Sequence, residues 1–211
     1  MKYLSQLLLS IVKLLRLSLY ITLIKNTPTS YGLIAIFIHW FMAFGIFFLF
    51  GLGLYMVELS YYDSWYKGSL DLHKSIGVSL FLIWCFRLLW RWTNVNPEPL
   101  SAKNKLEKFE HVAAHWMHVT LYLVMVMLML SGYLISTADG RSVVVFDLFE
   151  IPAIPASIEN QEDIAGEIHY TLAWVLISLV AMHALAALKH HLVDKDDTLK
   201  KMILFKKQLK K

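Results

Sequence analysis

The sequence predicts an all-α integral membrane protein whose four spanning helices form a bundle. Apolar and aromatic residues make up 57% of its 211 residues and charged residues only 17%. The mean hydropathy of +0.53 lies above the range of ordinary soluble domains. Four segments are long and apolar enough for a bilayer core, which needs about 20 helical residues. These segments are residues 33–57, 72–92, 112–136 and 168–190.

The connections between these spans are polar or marked by proline. Residues 58–71 form a short connection, and the second, which runs through Pro97 to Glu110, reads as a polar loop. The third connection, residues 137–167, joins the apolar stretch VVVFDLFEIPAIPA to the acidic stretch ENQEDIAGE. Its two prolines argue against a fifth helix through residues 151–156.

The distribution of basic residues predicts the orientation in the membrane. Residues 1–31, 91–110 and 189–211 hold sixteen of the twenty Lys and Arg. Short cytoplasmic loops collect these residues, so both termini are expected in the cytoplasm and the other two connections on the opposite side. The net charge of +4 therefore indicates topology and not a nucleic-acid partner.

The two ends of the chain are set apart from this bundle. Lys13 and Arg16 interrupt the apolar run of residues 1–26, which favours an amphipathic helix on the inner membrane surface over a span. A translation start further downstream is the alternative. Residues 206–211 form a basic tail. The single Cys85 excludes an intrachain disulfide and a cysteine-based metal cluster.

Histidines lie in or at the edges of all four spans, where ionisable groups are costly and by default mark a functional site. His169 and His183 are fourteen residues apart, so they share a helix face and are separated by about 21 Å along the axis. The predicted topology places His39 level with His183 and His73 level with His169. We call His39 and His183 the inner pair, and His73 and His169 the outer pair.

A pair of neutral imidazoles on facing helices suits axial ligation of a haem iron. A Zn²⁺ or Cu²⁺ ion would require a third or fourth close ligand. No CxxCH sequence occurs, so a haem would be bound non-covalently, as in b-type cytochromes. Two other interpretations remain open at this point: a metal or proton transporter that uses the same histidines, and a structural bundle without a cofactor.

Glycines near these histidines would leave room for a flat macrocycle. Gly77 follows His73 by one helical turn, and close helix packing is the alternative reason for a glycine there. Similar gaps are expected at Gly45, Gly51, Gly53 and Gly132.

Two polar residues are candidates for the edge of a haem near the inner pair. His118 is the deepest of three histidines on one face of the third span, where it would hydrogen-bond a haem propionate or a quinone oxygen. Arg87 would pair with propionates, or alternatively extend toward the headgroups. Near the outer pair, Lys67 and Lys74 would attract a small anion, or alternatively extend toward the headgroups.

Four stretches together resemble the bacterial cytochrome b561 family. They are SYGLIAIFIHWFMAFGIFFLFGLGLYM, LHKSIGVSLFLIWCFRLLWRW, HWMHVTLYLVMVMLMLSGYL and IHYTLAWVLISLVAMHALAALKHH, and the resemblance extends over residues 28–205. It implies a single dihaem domain in the bacterial inner membrane that carries single electrons between ubiquinone and a small periplasmic redox partner, with superoxide as a candidate. It also implies that the inner pair holds one haem and the outer pair the other.

The wider group of similar proteins suggests a second function. It includes the cytochrome subunits of hydrogenases and formate dehydrogenases, so a haem-bearing membrane anchor for such a complex is the alternative to an independent electron carrier. Residues 1–26 have no counterpart in the family pattern.

Overall fold

The structure, a computed structural model, describes residues 23–203 together with Gln6 and Lys13. Its four long helices are long and apolar enough to cross a membrane, which confirms the four predicted spans. Apart from Gln6, Lys13 and residues 23–26, the predicted amphipathic segment lies outside the described residues, and so does the basic tail. The helices are α1 (Leu33–Val57), α2 (Tyr66–Thr93), α3 (Lys105–Thr137), α4 (Gln161–Leu192) and the short α5 (Lys200–Ile203).

Helix α3 begins seven residues before the predicted span. The prediction that the polar loop extends to Glu110 is therefore wrong. The helix starts after Asn104, whose side-chain oxygen accepts a hydrogen bond from Glu107 N at 2.9 Å. The Glu107 carboxylate in turn accepts from Lys103 N at 2.6 Å. The first bond satisfies a free amide of the first helical turn, and the second attaches the residue before the cap to that turn. The polar turn extends α3 beyond the apolar run.

The third connection folds into a β-hairpin. Strands β1 (Val143–Val145) and β2 (Phe149–Ile151) pair antiparallel, and no helix runs through residues 151–156, as the prolines predicted. The turn places Phe146 and Asp147 at φ 49° and 57°. Both angles lie in the left-handed region that favours glycine, and Leu148 N closes the turn by donating to Val145 O at 2.9 Å.

The tip of the hairpin is attached to helix α2. Phe146 N donates to the hydroxyl of Ser75 at 3.1 Å, and Ser75 is 3% exposed. On β1, Val143 and Val145 are buried while Val144 points outward, the alternation expected of a strand with one covered face. The hairpin is therefore docked two residues beyond His73.

The described residues fall into two compact units, and the long helices other than α3 contribute to both. The terminal unit comprises the residues up to Trp40, Phe86–Ser101 and the residues from Ala187 onward. Inside it, Asn26 Nδ2 donates to Val95 O at 2.9 Å and Trp40 Nε1 donates to Met202 O at 2.7 Å. Hydrogen bonds between segments distant in sequence thus hold this unit together.

The central unit comprises Phe41–Cys85 and Ala102–Ala186. Its core includes Leu80, which is 1% exposed, and a Cβ added at Gly45 would lie 2.8 Å from the Leu80 side chain. The gap predicted at Gly45 is thus filled by close packing of a leucine. Many large apolar side chains point outward from the four long helices, as residues in contact with lipid do.

Replacement of Asp147 by glycine should stabilise the protein by about 1 kcal/mol, because glycine adopts the left-handed conformation at no steric cost. We expect the melting temperature of the purified protein to rise by about 2–4 °C. The matched control is Glu150→Gly on β2, where glycine weakens a strand and should lower the melting temperature. A lower melting temperature for Asp147→Gly would contradict the role of the turn.

Candidate functional site

Within the central unit, the outer pair of histidines comes together. His73 on α2 and His169 on α4 have ring centroids 6.2 Å apart, with their planes at 69°. Two metal–imidazole bonds of about 2 Å each, added to the depth of both rings, give roughly this separation for rings that hold one ion between them. At this distance the two rings would hold a single iron between them.

The ring of His169 is oriented by helix α3. Its Nδ1 lies 3.0 Å from Leu128 O and 3.2 Å from Ser131 Oγ. A carbonyl oxygen only accepts, so Nδ1 carries the hydrogen of the neutral ring. Nε2 is then left with a free lone pair. Bonds of this kind to the second nitrogen are what usually orient a histidine that ligates a metal.

His73 differs from His169 because its Nδ1 is buried and has no hydrogen-bond partner among the described residues. Neither histidine belongs to a group of three or more His, Cys, Asp or Glu side chains with converging ligand atoms in the described part of the chain. A closed zinc site needs four ligands. The arrangement thus fits a planar group that brings its own equatorial ligands, as a haem does.

The glycines around the outer pair fall into two classes. A Cβ at Gly132 would lie 3.0 Å from His169 Cε1, and one at Gly53 would lie 3.5 Å from His73 Cε1. These two predicted gaps are therefore filled by the imidazole rings. Gly77 and Gly51 have no atom within 4 Å of an added Cβ. Gly77 thus retains the open space that a macrocycle next to His73 would require.

In the terminal unit, His39 of α1 contacts Arg87 of α2. Both terminal nitrogens of the guanidinium lie 3.3 Å from His39 Nδ1. Arginine only donates, so Nδ1 is the acceptor and the ring hydrogen sits on Nε2. Iron ligation through Nε2 would require that hydrogen to move to Nδ1 and Arg87 to turn to other acceptors.

His118 of α3 and His183 of α4 meet within the central unit, with ring centroids 5.1 Å apart and planes at 68°. His118 is therefore next to one member of the predicted inner pair, as a residue at a haem edge would be. The pairing of His39 with His183 stays a prediction.

The cations predicted to attract an anion near the outer pair are partly compensated. Lys74 Nζ lies 3.1 Å from Asp71 Oδ1. Arg141, which was not predicted to have this role, is bonded to Asp139, and this side-chain hydrogen bond lowers the pKa of the Asp139 carboxyl. Lys67 is exposed and has no ion pair among the residues that the structure describes. The local positive charge is thus weaker than the sequence predicted.

Sequence reasoning missed the contribution of Leu128 and Ser131. Their signal is slight: Ser131 and Gly132 are two small residues within an otherwise large apolar run, VMVMLMLSGYL. Small residues in such a run usually indicate close helix packing, and here they lie against an imidazole ring.

Comparisons with known proteins agree with the resemblance noted in the sequence. Residues 30–204 match the family described as prokaryotic cytochrome b561. Cytochrome b561 homolog 2 of Escherichia coli K12 is 46% identical over 178 residues, which is 84% of this chain and 93% of the relative. A probable superoxide oxidase, CybB, of Yersinia pestis is 30% identical over 144 residues, 67% of this chain and 77% of the relative.

Replacement of Gly132 by alanine should push the His169 ring away from its bond to Leu128, because the new methyl group would approach Cε1 to 3.0 Å. We expect a haem held by this ring to bind about tenfold more weakly, the lower end of the effect of disturbing the surroundings of a metal ligand. Haem titration of the purified protein measures this.

Gly53→Ala is the matched control, since its methyl group would make an ordinary contact of 3.5 Å with His73. This variant should retain wild-type haem affinity. Equal affinities for the two variants would show that the contact at Gly132 does not orient His169.

Proposed function

Because this chain belongs to the prokaryotic cytochrome b561 family, we propose that it is a dihaem cytochrome that carries single electrons between ubiquinone and a small redox partner outside the inner membrane. The family transfers electrons in the membrane and binds b-type haem. The chain itself is a multi-pass protein of the bacterial inner membrane. The number of haems, the quinone and the small partner are parts of the proposal.

The observation that carries the proposal is the outer pair. His73 and His169 lie at a separation suited to one iron between them, and the bonds of His169 leave its Nε2 free. A bound haem supplies an iron that changes its oxidation state by one electron. The chain holds that group, orients its ligands and keeps it in an apolar surrounding. Gly77 supports the assignment because the space beside it is open.

For the second haem we propose the inner pair, His39 and His183, as ligands. The resemblance and the position of each histidine along its helix support this assignment. Arg87 would leave His39 Nδ1 and pair with the propionates, whose carboxylates accept its fork of donors. His118, next to His183, would hydrogen-bond a propionate or a quinone oxygen.

Superoxide is the small partner that the comparisons favour, since one relative is named as a probable superoxide oxidase. Each superoxide would give up one electron and become O₂. Two of them are needed to reduce one ubiquinone to ubiquinol, with uptake of two protons. Exposed Lys67 would provide local attraction for this anion.

A role as the membrane anchor of a dehydrogenase or hydrogenase complex is the second candidate. The β-hairpin favours it, because Leu148 is 80% exposed and Phe146 is 48% exposed at the tip. Because they lie outside the four spans, these side chains offer an apolar surface that a protein partner would cover. Purification under mild conditions separates the two functions: an anchor should co-elute with a soluble subunit, and an independent carrier should not.

The purified protein should show low-spin b-type absorption in its reduced-minus-oxidised spectrum, with two haems per chain. His73→Ala and His169→Ala should remove the same spectral component because the two side chains hold one iron. His39→Ala and His183→Ala should remove the other component. His115→Ala, which changes an exposed histidine, is the control and should keep both haems.

A haem-to-protein ratio near zero would rule out the cytochrome function. Loss of one shared component in His39→Ala and His169→Ala would instead show that the pairs are assigned wrongly.

The proposed orientation places both termini in the cytoplasm. In a Cys85→Ser background, Ala156→Cys should react with a membrane-impermeant maleimide on cells with a permeable outer membrane, because it would face outward. Ser101→Cys, equally exposed but on the other side, should react only after the inner membrane is opened. The reverse pattern would invert the topology and with it the names of the two pairs.

A further inference from the structure

Ser131 and the His169 ring form a compact polar cluster with one main-chain carbonyl. Ser131 is 5% exposed, and its Oγ lies 2.9 Å from Leu128 O and 3.2 Å from His169 Nδ1. His169 Nδ1 closes the cluster at 3.0 Å from the same carbonyl. Three polar atoms from two helices thus meet in an otherwise apolar surrounding.

Only one placement of hydrogens satisfies all three distances. Leu128 O accepts from the Ser131 hydroxyl and from His169 Nδ1, since a carbonyl cannot donate. The Ser131 oxygen then offers a lone pair to the same Nδ1 hydrogen. If the hydroxyl donated to Nδ1 instead, Nδ1 would be a second acceptor facing Leu128 O at 3.0 Å, an unfavourable contact.

The Ser131 hydroxyl contacts a second helix, unlike the hydroxyls of Ser136 and Ser178 in the described contacts. Ser136 donates to Gly132 O at 2.8 Å, and Ser178 donates to Trp174 O at 2.8 Å. Each of these bonds returns to the carbonyl four residues earlier in the same helix, a common arrangement that satisfies a hydroxyl in an apolar environment. The Ser131 hydroxyl bonds its own helix and also reaches the imidazole of α4.

We propose that Ser131 is a positioning residue for His169 and thereby tunes the haem of the outer pair, an inference that rests on the proposed function. Its oxygen accepts the ring hydrogen of Nδ1 together with Leu128 O, and this keeps the Nε2 lone pair available for iron. Its hydroxyl also donates to Leu128 O. It therefore affects the strength of the hydrogen bond that the same carbonyl accepts from His169 Nδ1. Gly132 limits the ring from the adjacent position.

This role has an electronic consequence for one haem alone. A stronger hydrogen bond from Nδ1 makes the imidazole more electron-rich, which favours ferric over ferrous iron, and a weaker bond does the opposite. Changing Ser131 should therefore shift the reduction potential of the outer haem. It should leave the other haem unchanged because the cluster contains neither His39 nor His183.

The test is a redox titration of the full-length haem-loaded protein in detergent, combined with electron paramagnetic resonance of the oxidised form. Ser131→Ala should retain two haems per chain and shift the midpoint potential and the low-spin signal of one haem. That haem should be the one lost in His169→Ala. Ser131→Thr keeps the hydroxyl and should restore wild-type values.

Ser136→Ala is the matched control, because it removes a hydroxyl from the same helix that bonds only a carbonyl four residues away in the described contacts. Both haems of this variant should have the midpoint potentials of the wild type. If His169→Ala removes one haem while Ser131→Ala leaves both potentials and signals unchanged, the positioning role is wrong and the proposed function stands. If His169→Ala removes no haem, the ligand assignment fails and the role of Ser131 fails with it.

Discussion

Lipid supplies no hydrogen-bond partners, so each polar group on a spanning helix must find one within the protein or in a bound group. Backbone amides and carbonyls meet this requirement by forming helices. Helix formation does not satisfy an imidazole, because a neutral ring has one donor and one acceptor on opposite sides and each needs its own partner. His169 is satisfied at Nδ1 by Leu128, whereas His73 Nδ1 has no partner among the described residues. Both rings retain a polar atom that a metal-bearing cofactor would use.

His169 and His39 differ in the group that lies next to Nδ1. At His169 it is a carbonyl, a partial negative charge that draws on the ring hydrogen. At His39 it is a guanidinium, a full positive charge that can only donate. Two histidines of one chain therefore have opposite electrostatic surroundings. His169 thus already carries its ring hydrogen on Nδ1, whereas His39 would have to exchange its guanidinium neighbour before Nε2 could bind a metal.

The spans were predictable from sequence because lipid burial leaves a continuous apolar run of fixed minimum length. The true start of α3 was not, since its first turn is polar and is held by the cap at Asn104. The histidines of the site were also visible, because an ionisable residue in such a run is conspicuous. Leu128 was invisible: its role belongs to a main-chain oxygen, which every residue carries. The role of Ser131 could not be predicted either, because it depends on which helix packs against α3 at that position.

That the His169 acceptor is a main-chain oxygen has a consequence for how this protein tolerates genetic change. No substitution of the Leu128 side chain can delete the carbonyl, so drift at that position leaves the bond intact as long as the helix persists. Damage would come instead from changes that alter the helix itself, such as a nearby proline or a one-residue deletion that rotates the following turns by about 100°. The bond to Leu128 O is thus insensitive to a change of the Leu128 side chain and sensitive to changes that break or rotate the helix.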